Sequence, residues 1–284
     1  MQECPPHRQA RIPAPPLAAA SYHSVTKLQS PQFRVAGEYQ PLMRMLGLDA
    51  QTVFEHPDIH CWRKLPDREN CTLDADLPGG KHLRLHVKRY SSAGAAVPEV
   101  EGHELLVQAG IATAPLVGWG TSGGRSFVIF DDLTSYTPGD KLVGQGTRFE
   151  TLLEPTAELA AALHRAGLHH RDLYLCHFMA RVIDGRDEDL LGEVRLIDTA
   201  RVRRLPGFLT RRRWIVKDLS QFWYSTLKLP VTDEQRWRWL ERYAQATESD
   251  AGSLRRAIER KVRSISRHDA RLHRIRPERD VSIP

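Results

Sequence analysis

The 284-residue chain has little cysteine, no internal repeat and no long apolar run, and each lack excludes something. No stretch of about eighteen apolar residues exists, so no transmembrane helix is expected. The N-terminus lacks the charged-then-apolar order of a signal peptide, since its best apolar stretch, residues 17–20, is far too short. Four cysteines, Cys4, Cys61, Cys71 and Cys176, contain no Cys-x-x-Cys pair. Neither a structural zinc site nor a disulfide scaffold is expected, and a reducing compartment is the simplest setting. Cys176 reads as a small buried filler beside a loop rather than as a nucleophile. Acidic charge is the scarcer sign, 35 Asp and Glu against 41 Lys and Arg, a net of +6. The excess is uneven. Residues 253–279 hold ten Lys/Arg and three Asp/Glu, a local net of +7. Such a segment suits an anionic lipid surface, phosphates or an acidic partner, and equally a solvated helix face. No nucleic-acid partner is expected.

What is present is a soluble globular composition, 41% hydrophobic and 27% charged, long enough for one large domain or two lobes. Residues 1–35 carry Pro5, Pro6, Pro13, Pro15, Pro16 and Pro31 and read as an extended or disordered leader. Helical periodicity follows at 39–48. Strands are expected at 62–65, 70–77 and 83–88, with a hairpin through Pro78-Gly79-Gly80. Residues 99–109 read as a helix opened by Pro98 and stopped by Gly110. Strands at 117–119 and 126–130 flank Gly123-Gly124. After Asp131-Asp132-Leu133 the character changes. A helix spans 149–166, a loop 168–177, and two strands, 178–183 and 193–197, surround a polar turn at 184–189. Helices at 216–227, 233–246 and 253–266 complete the chain. The expectation is an α+β, two-lobed design with a ligand cleft between lobes. Residues 36–132 would form an N-terminal antiparallel sheet lobe, and residues 133–284 a mainly helical C-terminal lobe with a basic tail.

The chemistry concentrates in His170-Arg171-Asp172 and in Leu196-Ile197-Asp198. His-Arg-Asp opens the catalytic loop of protein-kinase-like enzymes, where the Asp accepts the proton of the attacking hydroxyl and the residue five positions later binds magnesium. That fifth position is His177, where protein kinases carry Asn. Asp198 leaves a short apolar strand, as does the Asp of Asp-Phe-Gly that holds the nucleotide's magnesium. Lys88 ends the third strand of the first lobe, suited to pair with the α- and β-phosphates. A helical carboxylate must hold that ammonium: Glu99 begins the next helix, and Glu101 and Glu104 share it. Each residue alone is weak evidence. Their shared order and spacing carry the reading.

The run His170-Arg171-Asp172-Leu173-Tyr174 with Cys176-His177-Phe178 resembles the lipopolysaccharide core kinase family (Kdo/WaaP, InaA-type). The resemblance extends to Lys88-Arg89-Tyr90, to Glu99 through Thr113, to Arg201 and to Lys217-Asp218-Leu219. It implies a kinase fold and transfer of phosphate from ATP, with Mg2+ or Mn2+, to heptose or 3-deoxy-manno-octulosonic acid (Kdo) of the lipopolysaccharide inner core. The acceptor would be a lipid-linked core oligosaccharide. The setting would be cytoplasmic, peripheral on the inner membrane, with Arg211-Arg212-Arg213 and the basic tail available to the acceptor's phosphates or to the bilayer surface. Carried over, Asp172 would be the catalytic base, Asp198 and His177 would sit at the metal, Lys88 at the phosphates and Glu99 at Lys88. Asp218 would orient the catalytic loop through its backbone.

The pattern departs from protein kinases in three ways. Residues 66–70 stand where a glycine-rich turn would be, yet hold no glycine. Asp-Phe-Gly is replaced by Asp198-Thr199-Ala200, and no Ala-Pro-Glu follows. Imidazole suits softer metals than magnesium, so His177 either binds metal or only orients Asp172 or phosphate. Two other readings stay open from sequence: a kinase of protein or small-molecule acceptors, and a catalytically silent binding module.

Overall fold

Six strands pair into one antiparallel sheet in the computed structural model, which describes residues 31–183 and 190–275. They are β1 (Gln32–Val35), β2 (Ile59–Lys64), β3 (Arg68–Leu77), β4 (Lys81–Tyr90), β5 (Leu116–Ser122) and β6 (Arg125–Asp131). The strand order is β1-β5-β6-β4-β3-β2. The β3–β4 hairpin turns at the expected Gly79 and Gly80, whose φ of 88° and 78° are ones that side-chain-bearing residues rarely adopt. One face of the sheet buries Leu73, Leu85, Val87 and Ile129 against Met43 of α1 (Gln40–Met45) and Val53. The other face receives α2 (Val97–Gln108) through Val100, Tyr90 and Phe130.

The leader ends sooner than expected. Its last four residues are edge strand β1, paired with β5 from Gln32 opposite Thr121 to Val35 opposite Gly118. Phe33 packs edge-on against Phe127, 5.0 Å between ring centres, and this contact holds a segment too short to display periodicity. Residues 1–30, the polar turn 184–189 and the tail beyond 275 lie outside the described residues.

The second lobe opens with β7 (Thr137–Pro138) and α3 (Gly139–Gly144), followed by α4 (Phe149–Arg165) and β8 (Leu168–His169). Strands β9 (Phe178–Ile183) and β10 (Leu190–Leu196) form a small sheet with β7, and β11 (Arg203–Arg204) pairs with β8. Three helices close the fold: α5 (Phe208–Ser225), α6 (Asp233–Ala246) and α7 (Ala251–Ile275). Helix α5 starts eight residues before the expected 216. Its first turns carry Arg211-Arg212-Arg213 and little apolar pattern, so periodicity alone does not reveal them. The lobe's core centres on Phe222, stacked on Trp239 at 3.9 Å between ring centres and met edge-on by Phe178. Burying each such ring contributes roughly 1.5–3 kcal/mol.

Helix α2 belongs to both lobes. Val100 joins the sheet's core while Leu106 joins the helical one. Gly102 lets it lie directly on the turn after Asp198, because a Cβ there would sit 1.9 Å from the Thr199 carbonyl oxygen. Among the described residues, no helix is long and apolar enough to cross a membrane.

Candidate active site

Alternation along β4 sends Leu83, Leu85 and Val87 into the sheet's core and turns Lys88 towards α2. There its ammonium pairs with Glu99, in the first helical turn and only 1% exposed. The other Glu99 oxygen accepts from the Tyr90 hydroxyl, so the buried carboxylate has a partner at each oxygen. Lys88 also lies 3.5 Å from Asp198 Oδ1. Burial opposes the Lys88 charge, but the Glu99 and Asp198 carboxylates outweigh it and hold the ammonium above its ordinary pKa. Of the three carboxylates on this helix, it is Glu99 that meets Lys88. It shares a face with the buried Gly102, His103 and Leu106, three, four and seven positions on.

The loop between β8 and β9 is held from below by Asp218 of α5, which is fully buried. Asp218 Oδ2 accepts the His170 amide at 2.7 Å, and Oδ1 the Arg171 amide at 2.9 Å. His164 Nε2 lies 3.3 Å from the same carboxylate, and His164 Nδ1 lies 2.8 Å from the Tyr243 hydroxyl. Burial disfavours the Asp218 charge, yet His164 and the amide bonds outweigh it and keep the carboxyl below its usual range. This clamp lets Arg171 adopt a left-handed backbone, φ 70°, which is costly for an arginine. Lys217 donates to the Arg171 carbonyl. The backbone role expected for Asp218 is therefore the one the geometry shows.

Above the clamp, His170 Nε2–H donates to the Ile197 carbonyl at 2.9 Å, tying the loop to the chain just before Asp198. His177 Nδ1 lies 2.7 Å from the Asp172 carbonyl. A carbonyl oxygen only accepts, so Nδ1 carries the proton and the neutral ring's lone pair is on Nε2. That Nε2 faces Asp198 Oδ2 at 3.8 Å. The Asp172 carboxylate is oriented by Arg201, 3.0 Å from Oδ2, and by Gln221, whose amide donates to Oδ1 at 3.2 Å. Burial would raise the Asp198 pKa, but the Lys88 ammonium above all, with the Arg68 guanidinium adding to it, outweighs burial and keeps its carboxyl well below the usual range. Lys88, Glu99, Asp198, His177 and Asp172 thus meet at one place between the lobes.

This donor set fits a divalent cation. Asp198 offers an ionised oxygen, which suits magnesium, and the His177 lone pair beside it widens the choice to manganese. Cys176 is buried, and burial pushes its thiol far above the reactive range, as its reading as a filler requires. The β2–β3 turn, where glycines are absent, closes through the Leu65 amide on the Arg68 carbonyl at 2.8 Å. Its cation, Arg68, sits near enough to Lys88 and Asp198 to act on both charges. Sequence reasoning passed over Arg68, His164 and Gln221, and named Tyr90 without giving it a role. Arg68 had one signal, a cation directly after a turn that lacks glycine.

A family model for the lipopolysaccharide kinase (Kdo/WaaP) family matches residues 87–243. The chain is 29% identical over 157 residues to the lipopolysaccharide core heptose(I) kinase WaaP of Escherichia coli K12, covering 49% of this chain and 56% of that one. It is 29% identical over 151 residues to the protein of the same name from Pseudomonas aeruginosa, covering 49% and 55%. The chain thus spans about half the length of these curated relatives. A solved structure of WaaP in complex with acyl carrier protein superposes with a TM-score of 0.64 at 23% identity, over 82% of this chain and 98% of that one. The likeness shows the fold: the α+β, two-lobed arrangement expected from sequence is the one found.

Proposed function

The chain belongs to the lipopolysaccharide kinase (Kdo/WaaP) family, and on that premise we propose that it transfers the γ-phosphate of ATP to a hydroxyl of a heptose or Kdo sugar in the lipopolysaccharide inner core. One observation carries this reading: Lys88 and Asp198 face each other, and His177 and Arg201 join them to the Asp172 loop. Phosphoryl transfer depends mainly on positioning and charge stabilisation, and this arrangement supports both. Lys88, locked by Glu99, would neutralise oxygens of the triphosphate. Asp172, aimed by Arg201 and Gln221, would take the acceptor's hydroxyl proton as the new oxygen–phosphorus bond forms and the bond to ADP breaks. A magnesium or manganese ion held by Asp198 and His177 would supply further neutralisation of the phosphates.

Peripheral attachment to the cytoplasmic face of the inner membrane is part of the same proposal. Phe208 and Leu209 are 92% and 94% exposed, just ahead of Arg211-Arg212-Arg213 on α5. An apolar tip beside cations suits an anionic bilayer surface. Flotation with phosphatidylglycerol vesicles tests this, and absence of binding at low salt would count against it. Acyl carrier protein is the partner named for the similar solved WaaP. The same class of partner is proposed for this chain, with co-elution of the two purified proteins as its test.

The decisive assay offers ATP and three acceptors: dephosphorylated lipopolysaccharide core, a generic protein substrate and small-molecule alcohols. Transfer to core alone supports the proposal. Transfer to protein or small alcohols assigns another kinase class. Absence of both ATP binding and turnover assigns a binding module.

A further inference from the structure

A groove of about 690 Å³ opens beside the catalytic loop, between α5 and α7. Of its eleven lining residues seven are Arg or Lys and none is acidic. Arg171 comes from the catalytic loop, Arg201 from the turn after Asp198, Arg213 and Lys217 from α5, and Arg260 and Lys261 from α7. None of the cleft residues Lys88, His177 or Asp198 lines it, nor does any residue of the sheet lobe. Two of its cations nevertheless bear on the expected base: Arg201 pairs with the Asp172 carboxylate, and Lys217 holds the carbonyl just before it. Asp172 therefore stands between the Lys88–Asp198 cleft and this groove.

Beyond the Arg201–Asp172 pair, much of the groove's charge is uncompensated. Arg213, Arg260 and Lys261 have no hydrogen-bond or ion-pair partner among the described residues. Lys217 is held below its ordinary pKa by burial and by Arg171 and Arg201, despite the nearby Asp218 and Asp172 carboxylates. Like charges gathered in a concave, partly desolvated site raise one another's energy and concentrate anions there. The volume falls within the range of small-ligand sites, about 300–1,000 Å³.

We propose that this groove binds the acid groups, carboxylate or phosphate, that the acceptor glycan carries close to the hydroxyl being phosphorylated. The proposal rests on the kinase reading above and names what that reading leaves open: how an acceptor is recognised on the far side of Asp172 from the nucleotide. Anchoring an acid group in the groove would lay the neighbouring sugar against the base. A neutral glycan would lack the anchor.

The test uses the full chain, wild type and Arg260→Glu/Lys261→Glu, both positions being exposed on α7. Two acceptors are compared: a heptose–Kdo disaccharide and the same disaccharide with its carboxylate reduced to an alcohol. Initial rates of phosphate transfer give KM for each. Fluorescence titration without ATP, corrected with Trp214→Phe, gives binding, since Trp214 lines the groove under Arg171 and Lys217. Wild type should prefer the acidic disaccharide. The double variant should raise its KM at least about tenfold, as loss of two charge-assisted contacts predicts, and leave KM for ATP in place. Equal KM for both acceptors would overturn the groove's role while the kinase reading stands. Selective binding of the acidic disaccharide without transfer would retain the groove and remove the kinase reading. A double variant that loses flotation with phosphatidylglycerol vesicles but keeps its KM would overturn the proposal by assigning the groove to lipid headgroups.

Discussion

Gly102→Ala offers a sharp test because two effects predict opposite signs. Within an ordinary helix, replacing glycine by alanine stabilises by about 1 kcal/mol. At this position the new Cβ would lie 1.9 Å from the Thr199 carbonyl oxygen, 2.9 Å from its carbonyl carbon and 3.2 Å from Val202 Cβ. Two of the three neighbours are backbone, so no rotamer relieves the clash. Restoring ordinary contact, which begins near 3.4 Å, requires α2 and the Thr199 turn to part by roughly 1.5 Å, and overpacking of this kind costs about 1–3 kcal/mol. The same movement breaks the Thr199 hydroxyl's 2.8 Å bond to the Glu99 carbonyl, worth about 1 kcal/mol. The losses exceed the propensity gain, so net destabilisation of about 1–3 kcal/mol is expected. Activity should suffer more. Glu99, which holds the Lys88 ammonium of β4, rides on α2, whereas Asp198 adjoins the turn being pushed away. Misplacement by about 1 Å costs on the order of 100-fold in rate. Urea denaturation and phosphate-transfer rates measure the two effects. Thr199→Val, which removes the hydrogen bond without the added Cβ, isolates the steric part. A Gly102→Ala protein more stable than wild type, with undiminished turnover, would refute the tight contact between α2 and the Asp198 turn.

Four further outcomes are expected. Asp172→Asn should lose about 10²- to 10⁴-fold in turnover while ATP binding persists, measured by single-turnover transfer and nucleotide titration; near-normal turnover would remove Asp172 from the mechanism. Arg68→Ala should raise KM for ATP with a smaller change in kcat, since its charge acts on Lys88 and Asp198 rather than on the acceptor. Steady-state kinetics in ATP decide this. Phe208→Ser/Leu209→Ser should weaken flotation with anionic vesicles and leave the urea midpoint in place, because both side chains are almost wholly exposed. His103, buried in α2 with Nε2 donating to the Ala114 carbonyl, has its pKa lowered by burial from 6.5 to about 4. Between those values the unfolded chain binds a proton that the folded chain excludes, so stability falls as pH drops from about 6.5 to 4, by up to about 3 kcal/mol. Urea midpoints at pH 7.5 and 5 should show this loss, and His103→Gln should flatten it.

Chemistry carried by short local runs was legible before any coordinates. His170-Arg171-Asp172 and Leu196-Ile197-Asp198 declare themselves because each needs a loop or strand end of fixed form, and the flanking patterns supply one. The β3–β4 hairpin was equally legible, since Pro78-Gly79-Gly80 permits little else. Edge strand β1 and the first turns of α5 were not, because their anchors lie far away in sequence: Phe127 for Phe33, and the α7 face for Arg212, which donates to Ser253. No window along the chain contains both partners.

The choice among Glu99, Glu101 and Glu104 marks the boundary between these cases. A helical wheel alone favours Glu99, which shares its face with Gly102 and Leu106, while Glu101 is rotated away and exposed. What the wheel lacks is the reason this face is buried, namely that α2 packs on the sheet through Val100 and on the Asp198 turn through Gly102. The glycine that reads in sequence as a weak point in a helix is the residue that lets a carboxylate from one lobe and an aspartate from the other reach the same ammonium. The Asp172 carboxylate depends on the same kind of distant pairing, with Arg201 twenty-nine residues away and Gln221 forty-nine away. In this chain the reactive groups are written locally, and their alignment is written in the small and basic residues that let separate segments approach.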